Sequence, residues 1–210
     1  MSHLLYINAS PRGGRSHSKA VADAFVDAYQ TAHPGDTVET LHLFETALPP
    51  FDGPALQAKY SILSGGSPTP EEQKGWKVVE EIIAQFKAAD LYVFAVPMWN
   101  FSIPYKLKQY IDVIVQPGYT FRYSPEEGYS GLVTGKRAFL AFARGGSYPP
   151  GTEAAGLDFQ APYIRNILGF IGITDIEEVI VEPTLGGDPE AAQSLRDEGV
   201  LEAKALAEGF

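Results

Sequence analysis

Five apolar runs, set apart by amphipathic stretches, govern what this chain can fold into. Four of them, "LLYIN" (4–8), "LYVFAVP" (91–97), "RAFLAFA" (137–143) and "EVIVE" (178–182), are short and rich in β-branched or aromatic residues. Such runs read as strands buried on both faces, as parallel strands are when helices cover a sheet above and below. The fifth, "TVETLHL" (37–43), mixes polar with apolar residues and suits a sheet edge.

The intervening stretches carry helix signals. "TPEE" (69–72) is a capping box with Pro at the first helical position, and Trp76, Val79, Ile83 and Phe86 then recur at 3/4 spacing. "IPYKLKQYIDVIVQPG" has Pro near its start, places Leu107, Ile111, Ile114 and Val115 on one side, and stops at Pro-Gly. Asp188 is a plausible cap for the last helix, "DPEAAQSLRDEGVLEAKALAE". Alternation of five strands with five helices predicts a doubly wound parallel sheet, one α/β domain over residues 1–210. Residues 44–68 and 116–135, rich in Pro, Gly and aromatics, are expected to be long connections, a length commonly tied to function.

Composition removes several function classes. The chain has no cysteine, which excludes disulfides, thiolate metal sites and Cys nucleophiles. Its formal net charge of -10 disfavours nucleic acid and anionic membranes, whose binding rests on Lys and Arg. With no signal-like N-terminus and no bilayer-length apolar run, a cytoplasmic protein is expected. The histidines at 3, 17, 33 and 42 form neither an i, i+4 pair nor a cluster with other ligands, so no metal site is expected. There is no G-x-G-x-x-G, no complete Walker loop and no G-x-S-x-G elbow.

"NASPRGGRSHS" (8–18) leaves the first strand at its carboxyl end, where doubly wound sheets bind ligands. Ser10, Ser16 and Ser18, with the free N–H groups of the next helix's first turn and its dipole, would surround an anion. The absence of Asp and Glu from the loop fits that reading, since a carboxylate would repel a phosphate. Taken alone, the loop reads more readily as an N-cap serine and a glycine turn; its place after the first strand reverses that in favour of the anion site. Arg12 and Arg15 either steer the anion or face solvent.

Strand three runs into "PMWNFSIP" (97–104), whose Met98, Trp99 and Phe101 offer apolar surface to a flat ring while Asn100 can meet its polar edge. "ARGGSY" (143–148) follows the fourth strand, with glycines that admit close backbone approach. These two segments, with "NASPRGGRSHS", "TFRYSPEEGYSGLVTGKRAF" and "LGFIGITDI" in the same order, resemble the FMN-dependent azoreductases, a flavodoxin-like family related to the quinone reductases. The likeness spans nearly the whole chain.

The resemblance implies a flavodoxin-like sheet of order 2-1-3-4-5 and non-covalent FMN. Carried over residue by residue, FMN contacts fall on Ser10, Ser16, His17 and Ser18, on Met98, Trp99, Asn100 and Phe101, and on Ala143, Arg144, Gly145 and Gly146. Many members have Ser where Ala143 stands and Tyr where Trp99 stands, so one hydroxyl contact is absent here and the wall changes shape. Tyr123 and Phe170 match aromatic positions that flank the substrate, Phe170 across a dimer interface; as a residue, Phe170 reads equally as helix packing. The implied activity passes two electrons from NADH or NADPH to azo compounds or quinones by a ping-pong scheme. No obligatory protein acid or base is expected, and a homodimer is. The alternatives are an electron carrier docking to protein partners, as flavodoxins do, and a phosphate-ligand-binding domain without flavin.

Overall fold

The computed structural model describes residues 1–210. Its central sheet is built from β1 (His3–Asn8), β2 (Thr37–His42), β3 (Leu91–Pro97), β6 (Arg137–Ala143) and β7 (Asp175–Val181). All pair in parallel in the order β2-β1-β3-β6-β7. Leaving out the two strands of a separate hairpin, that is the expected order 2-1-3-4-5.

Helices α1 (His17–Ala32) and α6 (Pro189–Ala207) close over one face, burying Val21, Phe25 and Ala203 against Tyr6, Val93 and Phe139. Phe25 stacks on Phe139 with ring centroids 4.1 Å apart. The other face is covered by α3 (Pro70–Ala88), α4 (Tyr105–Ile114) and α5 (Ala161–Ile171), with α2 (Gly53–Leu63) leaning on α3. This is the larger core, 31 buried residues against 16, because more helices share it. No helix is long and apolar enough to cross a membrane.

The sequence signals act as expected at the helix ends. Thr69 and Glu72 form the reciprocal capping box of α3, and the Asp188 carboxylate accepts from the Glu190 N–H at the start of α6. Trp76, Val79, Ile83 and Phe86 form the buried stripe of α3.

Three expectations are corrected. The last strand begins at Asp175, not Glu178, and it is an edge: Asp175 and Glu177 are exposed and only Val179 and Val181 are buried. Its outer ladder faces no neighbour, so alternating acids are tolerated there. Residues 44–68 contain α2, which Pro54 starts and which turns Ala55 and Ala58 onto α3. Residues 116–135 contain an antiparallel hairpin, β4 (Phe121–Ser124) and β5 (Gly128–Gly131). Sequence reading missed α2 because it buries only Ala55 and Ala58, too little to display an apolar stripe, and missed the hairpin because each of its strands has four residues.

The hairpin docks on the C-terminal end of α5. A Cβ on Gly131 would lie 2.3 Å from the backbone of Gly172, so only glycine lets the two chains meet there. Phe121 and Tyr129 pack on Phe170 with centroids 4.8 and 5.6 Å apart.

Tyr110 on α4 is fully buried, and its hydroxyl has no hydrogen-bond partner. A buried donor left unpaired carries its full desolvation penalty. Tyr110→Phe is therefore expected to stabilise the fold by about 1 kcal/mol, a rise in Tm of about 2–4 °C by calorimetry. A fall in Tm would show that the hydroxyl is paired in solution.

Candidate functional site

Three loops leave the carboxyl ends of β1, β3 and β6 and meet at one end of the sheet. The first is Ala9–Ser16. The Asn8 side-chain oxygen accepts from the Ser10 N–H (3.0 Å), turning the chain out of β1, while its amide meets His42 at the tip of β2 (3.1 Å). Pro11 to Arg15 stay exposed, with Gly13 at φ 56° allowing the tight turn. Ser16 then caps α1, its hydroxyl accepting from the Lys19 N–H at 3.1 Å.

The cap explains Ser16 without a ligand, but not Ser18. Ser18 is fully buried, its hydroxyl 3.2 Å from that of Ser16, and it satisfies no helix amide. The N–H groups of His17 and Ser18, at the head of α1, have no acceptor in the protein. Ser10, Ser16 and Ser18 thus lie buried around unpaired first-turn amides, at the positive end of a 16-residue helix. Burial pushes the His17 imidazole below its ordinary value, and Arg196 and Arg12 push the same way, so it is neutral at pH 7. Its Nδ1 is buried without a partner.

The second loop is a tight turn. Trp99 and Ser102 exchange backbone hydrogen bonds of 2.8 and 3.0 Å, and between them Asn100 and Phe101 both have positive φ, 47° and 68°. Asn tolerates that region; Phe does so at a cost of about 1–2 kcal/mol. Strain of this kind persists where the surroundings impose it and concentrates at ligand sites. Phe101 is held by its carbonyl, which accepts from the Phe159 N–H (2.9 Å), and its ring stays half exposed at 44%. Met98 is tied to the neighbouring loop by its N–H donating to the Ala143 carbonyl (2.8 Å).

The third loop, Ala143–Tyr148, presents the N–H groups of Gly145 and Gly146, which have no acceptor in the protein. A Cβ on Gly145 would lie 2.9 Å from the tip of the exposed Leu185 side chain, and one on Gly146 3.0 Å from the Tyr148 hydroxyl, so a larger residue at either place would have to displace those side chains. Arg144 behaves differently from its neighbours. Its guanidinium points inward, 2% exposed, and donates to Gln160 (2.9 Å), Asp158 (2.8 Å) and Glu182 (3.2 Å). Its backbone is also engaged, with Val181 and Thr184. Arg144 therefore shapes the loop from behind.

Tyr123 and Phe170 lie elsewhere. They share the aromatic cluster around Tyr129, centroids 5.0 and 5.6 Å away, where α5 ends and β6 is about to begin. That is the opposite end of the sheet from the three loops, about 20 Å away for a seven-residue strand. Within one chain they cannot face the Trp99 turn.

Sequence reading missed other contributors. Phe44 and Tyr105 form an aromatic cluster with Trp99, centroids 5.5 and 6.2 Å away. Tyr148 meets the Phe101 ring edge-on at 6.3 Å, linking loops two and three. Asp158 and Gln160 join the start of α5 to Arg144 and, through Gln160, to the Val96 carbonyl (2.9 Å). Asp158 stands just ahead of a Pro-started helix, the one local signal that marked any of them. A groove of about 900 Å³ runs outward from the turn, with Trp99, Asn100, Tyr105, Phe51, Lys59 and Tyr163 among its walls.

A sequence profile of the flavodoxin-like fold matches residues 2–206. The chain belongs to the flavodoxin-like family. Within it, the FMN-dependent NADH:quinone oxidoreductase of Nitratidesulfovibrio vulgaris is 53% identical over 210 residues, covering 100% of both chains. Among solved structures, the azoreductase of Bacillus anthracis strain Sterne superposes with a TM-score of 0.91 at 34% identity, over 100% of both chains. An FMN-dependent NADH-azoreductase of Bacillus anthracis strain Ames Ancestor, solved in complex with FMN, gives 0.87 at 32%, over 99% of this chain and 100% of that one.

The flavodoxin-like loops of this chain fit a phosphorylated planar cofactor. Buried hydroxyls and unpaired amides suit a dianion, an apolar strained turn suits a ring, and the bare glycine amides suit the ring's polar rim.

Proposed function

We propose that the protein is an FMN-dependent oxidoreductase that passes two electrons from NADH, or NADPH, to quinones and aromatic azo compounds. The observation that carries this reading is the pair of unpaired amides at His17 and Ser18 beside the buried Ser10, Ser16 and Ser18, placed opposite the strained Trp99–Ser102 turn. Full-length relatives named for that chemistry support it. They also weigh against the electron-carrier alternative.

When bound, FMN supplies the chemistry, accepting a hydride from the nicotinamide donor and returning two electrons to the acceptor in a second half-reaction. The protein's work is positional. Ser10, Ser16 and Ser18, with the His17 and Ser18 amides, hold the phosphate. Met98 to Phe101 form the wall against which the ring lies. The Gly145 and Gly146 amides, which have no acceptor in the protein, would donate to the polar rim of the bound ring and favour negative charge there. Ala143 and Arg144 act through the backbone and the buried ion network, not through a side-chain contact with the ring. Water supplies the protons.

The acceptor's second wall comes from another copy of the chain. Tyr123 and Phe170 sit too far from their own loops to reach the acceptor, and Tyr123 is 62% exposed beside the similarly exposed Tyr129, available to a partner. A homodimer that sets this aromatic cluster against the partner's Trp99 turn completes the site.

The purified protein is expected to be yellow, to bleach on addition of NADH without any partner reductase, and to recolour with menadione or methyl red. Its mass in solution is expected to be twice the 22.8 kDa chain. A yellow protein that no nicotinamide donor bleaches would overturn the enzyme reading and favour the carrier.

A further inference from the structure

Two hydrogen bonds behind the first loop fix each other's direction. The Ser10 N–H can only donate, so the Asn8 atom that meets it at 3.0 Å is Oδ1, and the Asn8 atom turned to His42 Nδ1 at 3.1 Å is the amide nitrogen. His42 Nδ1 is therefore the acceptor, and in this arrangement the imidazole is neutral with its proton on Nε2. Both backbones are held. The Leu43 N–H donates to the Asn8 carbonyl (3.0 Å), and the His42 carbonyl accepts from the Glu45 N–H (3.0 Å), the Thr46 N–H (2.9 Å) and the Thr46 hydroxyl (2.8 Å). Asn8 and Ser10 are buried, so a donor left unpaired there is costly. The Ser10 hydroxyl oxygen accepts from the Arg12 N–H (3.5 Å), which leaves its proton free for the phosphate. The charged groups that share a cavity of about 270 Å³ with His42 are Lys19 of α1, paired with Asp23, and the exposed Glu45 of the turn after β2. Neither takes Nδ1, whose partner is Asn8.

We propose that His42 is a positioning residue for the phosphate-holding loop: it sets the Asn8 amide, and Asn8 in turn sets Ser10. This rests on the oxidoreductase reading above and adds a control to its cofactor site. An imidazole changes charge between about pH 5 and about pH 8. Protonation puts an N–H on Nδ1 against the Asn8 amide nitrogen, two donors face to face. Asn8 has one side-chain oxygen turned to this corner, so it serves either the imidazolium or the Ser10 N–H. Serving the imidazolium turns the amide over and releases Ser10. The loop therefore holds the phosphate best while His42 is neutral. One such bond changes FMN affinity about fivefold, equivalent to about 1 kcal/mol.

The test reads FMN affinity of the full-length protein, freed of flavin, by quenching of flavin fluorescence at about pH 8 and about pH 5.5. Wild type is compared with His42→Asn, which puts a carbonyl oxygen where Nδ1 stands and does not titrate, and with His42→Leu, which offers no acceptor. At the higher pH, His42→Asn is expected to match wild type and His42→Leu to bind about fivefold more weakly. On acidification the phosphate gains a proton whichever protein binds it, so the ratio of wild type to His42→Asn isolates the imidazole. Wild type is expected to lose about fivefold more affinity than His42→Asn. A second readout needs no flavin: the NMR signal of the Ser10 amide is expected to move with acid in wild type and not in His42→Asn. Wild type that loses no more than His42→Asn, or that binds more tightly in acid, overturns the proposal, as does a Ser10 amide indifferent to the titration. Failure of wild type and both variants to bind FMN instead defeats the oxidoreductase reading, and the Ser10 signal then decides the role of His42 by itself.

Discussion

Ser18→Asp is expected to yield a folded protein with no colour. Ser18 is fully buried at the second position of α1, beside the Ser16 hydroxyl and next to amides that lack acceptors. A carboxylate there can take those amides itself, and its charge suits the helix N-terminus by about 0.3–1 kcal/mol. Folding is therefore expected to survive, with Tm within a few degrees of wild type.

The phosphate loses in two ways: its donors are taken, and it meets a fixed negative charge. At about 4 Å and an effective dielectric constant near 20, each unit of phosphate charge is repelled by about 4 kcal/mol. Even after screening and relaxation, FMN affinity is expected to fall at least a hundredfold, as read from quenching of flavin fluorescence on binding. Ser18→Ala, which removes one donor and adds no charge, is expected to cost about tenfold. If Ser18→Asp retains its flavin, the first loop is not the phosphate site and the helix head needs only its cap.

Arg144→Met is expected to destabilise the fold by about 3–5 kcal/mol, a drop in Tm on the order of 10 °C for a chain of this size. The guanidinium is the one ion-pair partner of Asp158 and Glu182, which are only 12% and 17% exposed. Removing it leaves two largely buried carboxylates without their ion-pair partner. Lysine is not expected to rescue, because the three acceptors sit around a planar fork that an ammonium does not match.

Arg144→Met combined with Asp158→Asn and Glu182→Gln is expected to recover more than half of the loss. The cost arises from stranded charge rather than from missing contact area, and such coupled groups are not additive. Thermal unfolding of the wild type, the single variant and the triple variant checks this. Equal Tm values for the single and triple variants would mean that the network is not what holds the third loop.

Much of the fold was legible in the sequence because its signals are local. A strand buried on both faces must be apolar along its length, so β3 and β6 were bounded to the residue from hydrophobicity. A helix start needs a side chain to accept its free amides, so Thr69 and Asp188 marked α3 and α6. The cap at Ser16 and the turn at Gly13 in the loop at 8–18 were legible for a related reason: both depend on residues a few positions apart.

Where the reading stopped is equally physical. Nothing near Arg144 in sequence announces that it turns inward, since Asp158 lies 14 positions on and Glu182 lies 38. Those partners are neighbours only after β6, β7 and the start of α5 have packed. The edge position of β7 follows from sheet order, which decides whether Asp175 and Glu177 meet water or core. The remoteness of Tyr123 and Phe170 from the loops is a property of direction: α4 and α5 run antiparallel to the strands, so the hairpin after α4 and the last turn of α5 both lie at the far end of the sheet. Local chemistry thus specified the elements and the capped turn after β1, because each depends on atoms a few residues apart. Which side chains come together, and that Tyr123 and Phe170 lie far from the Trp99 turn, depends on distances across the sheet that only the packed structure determines.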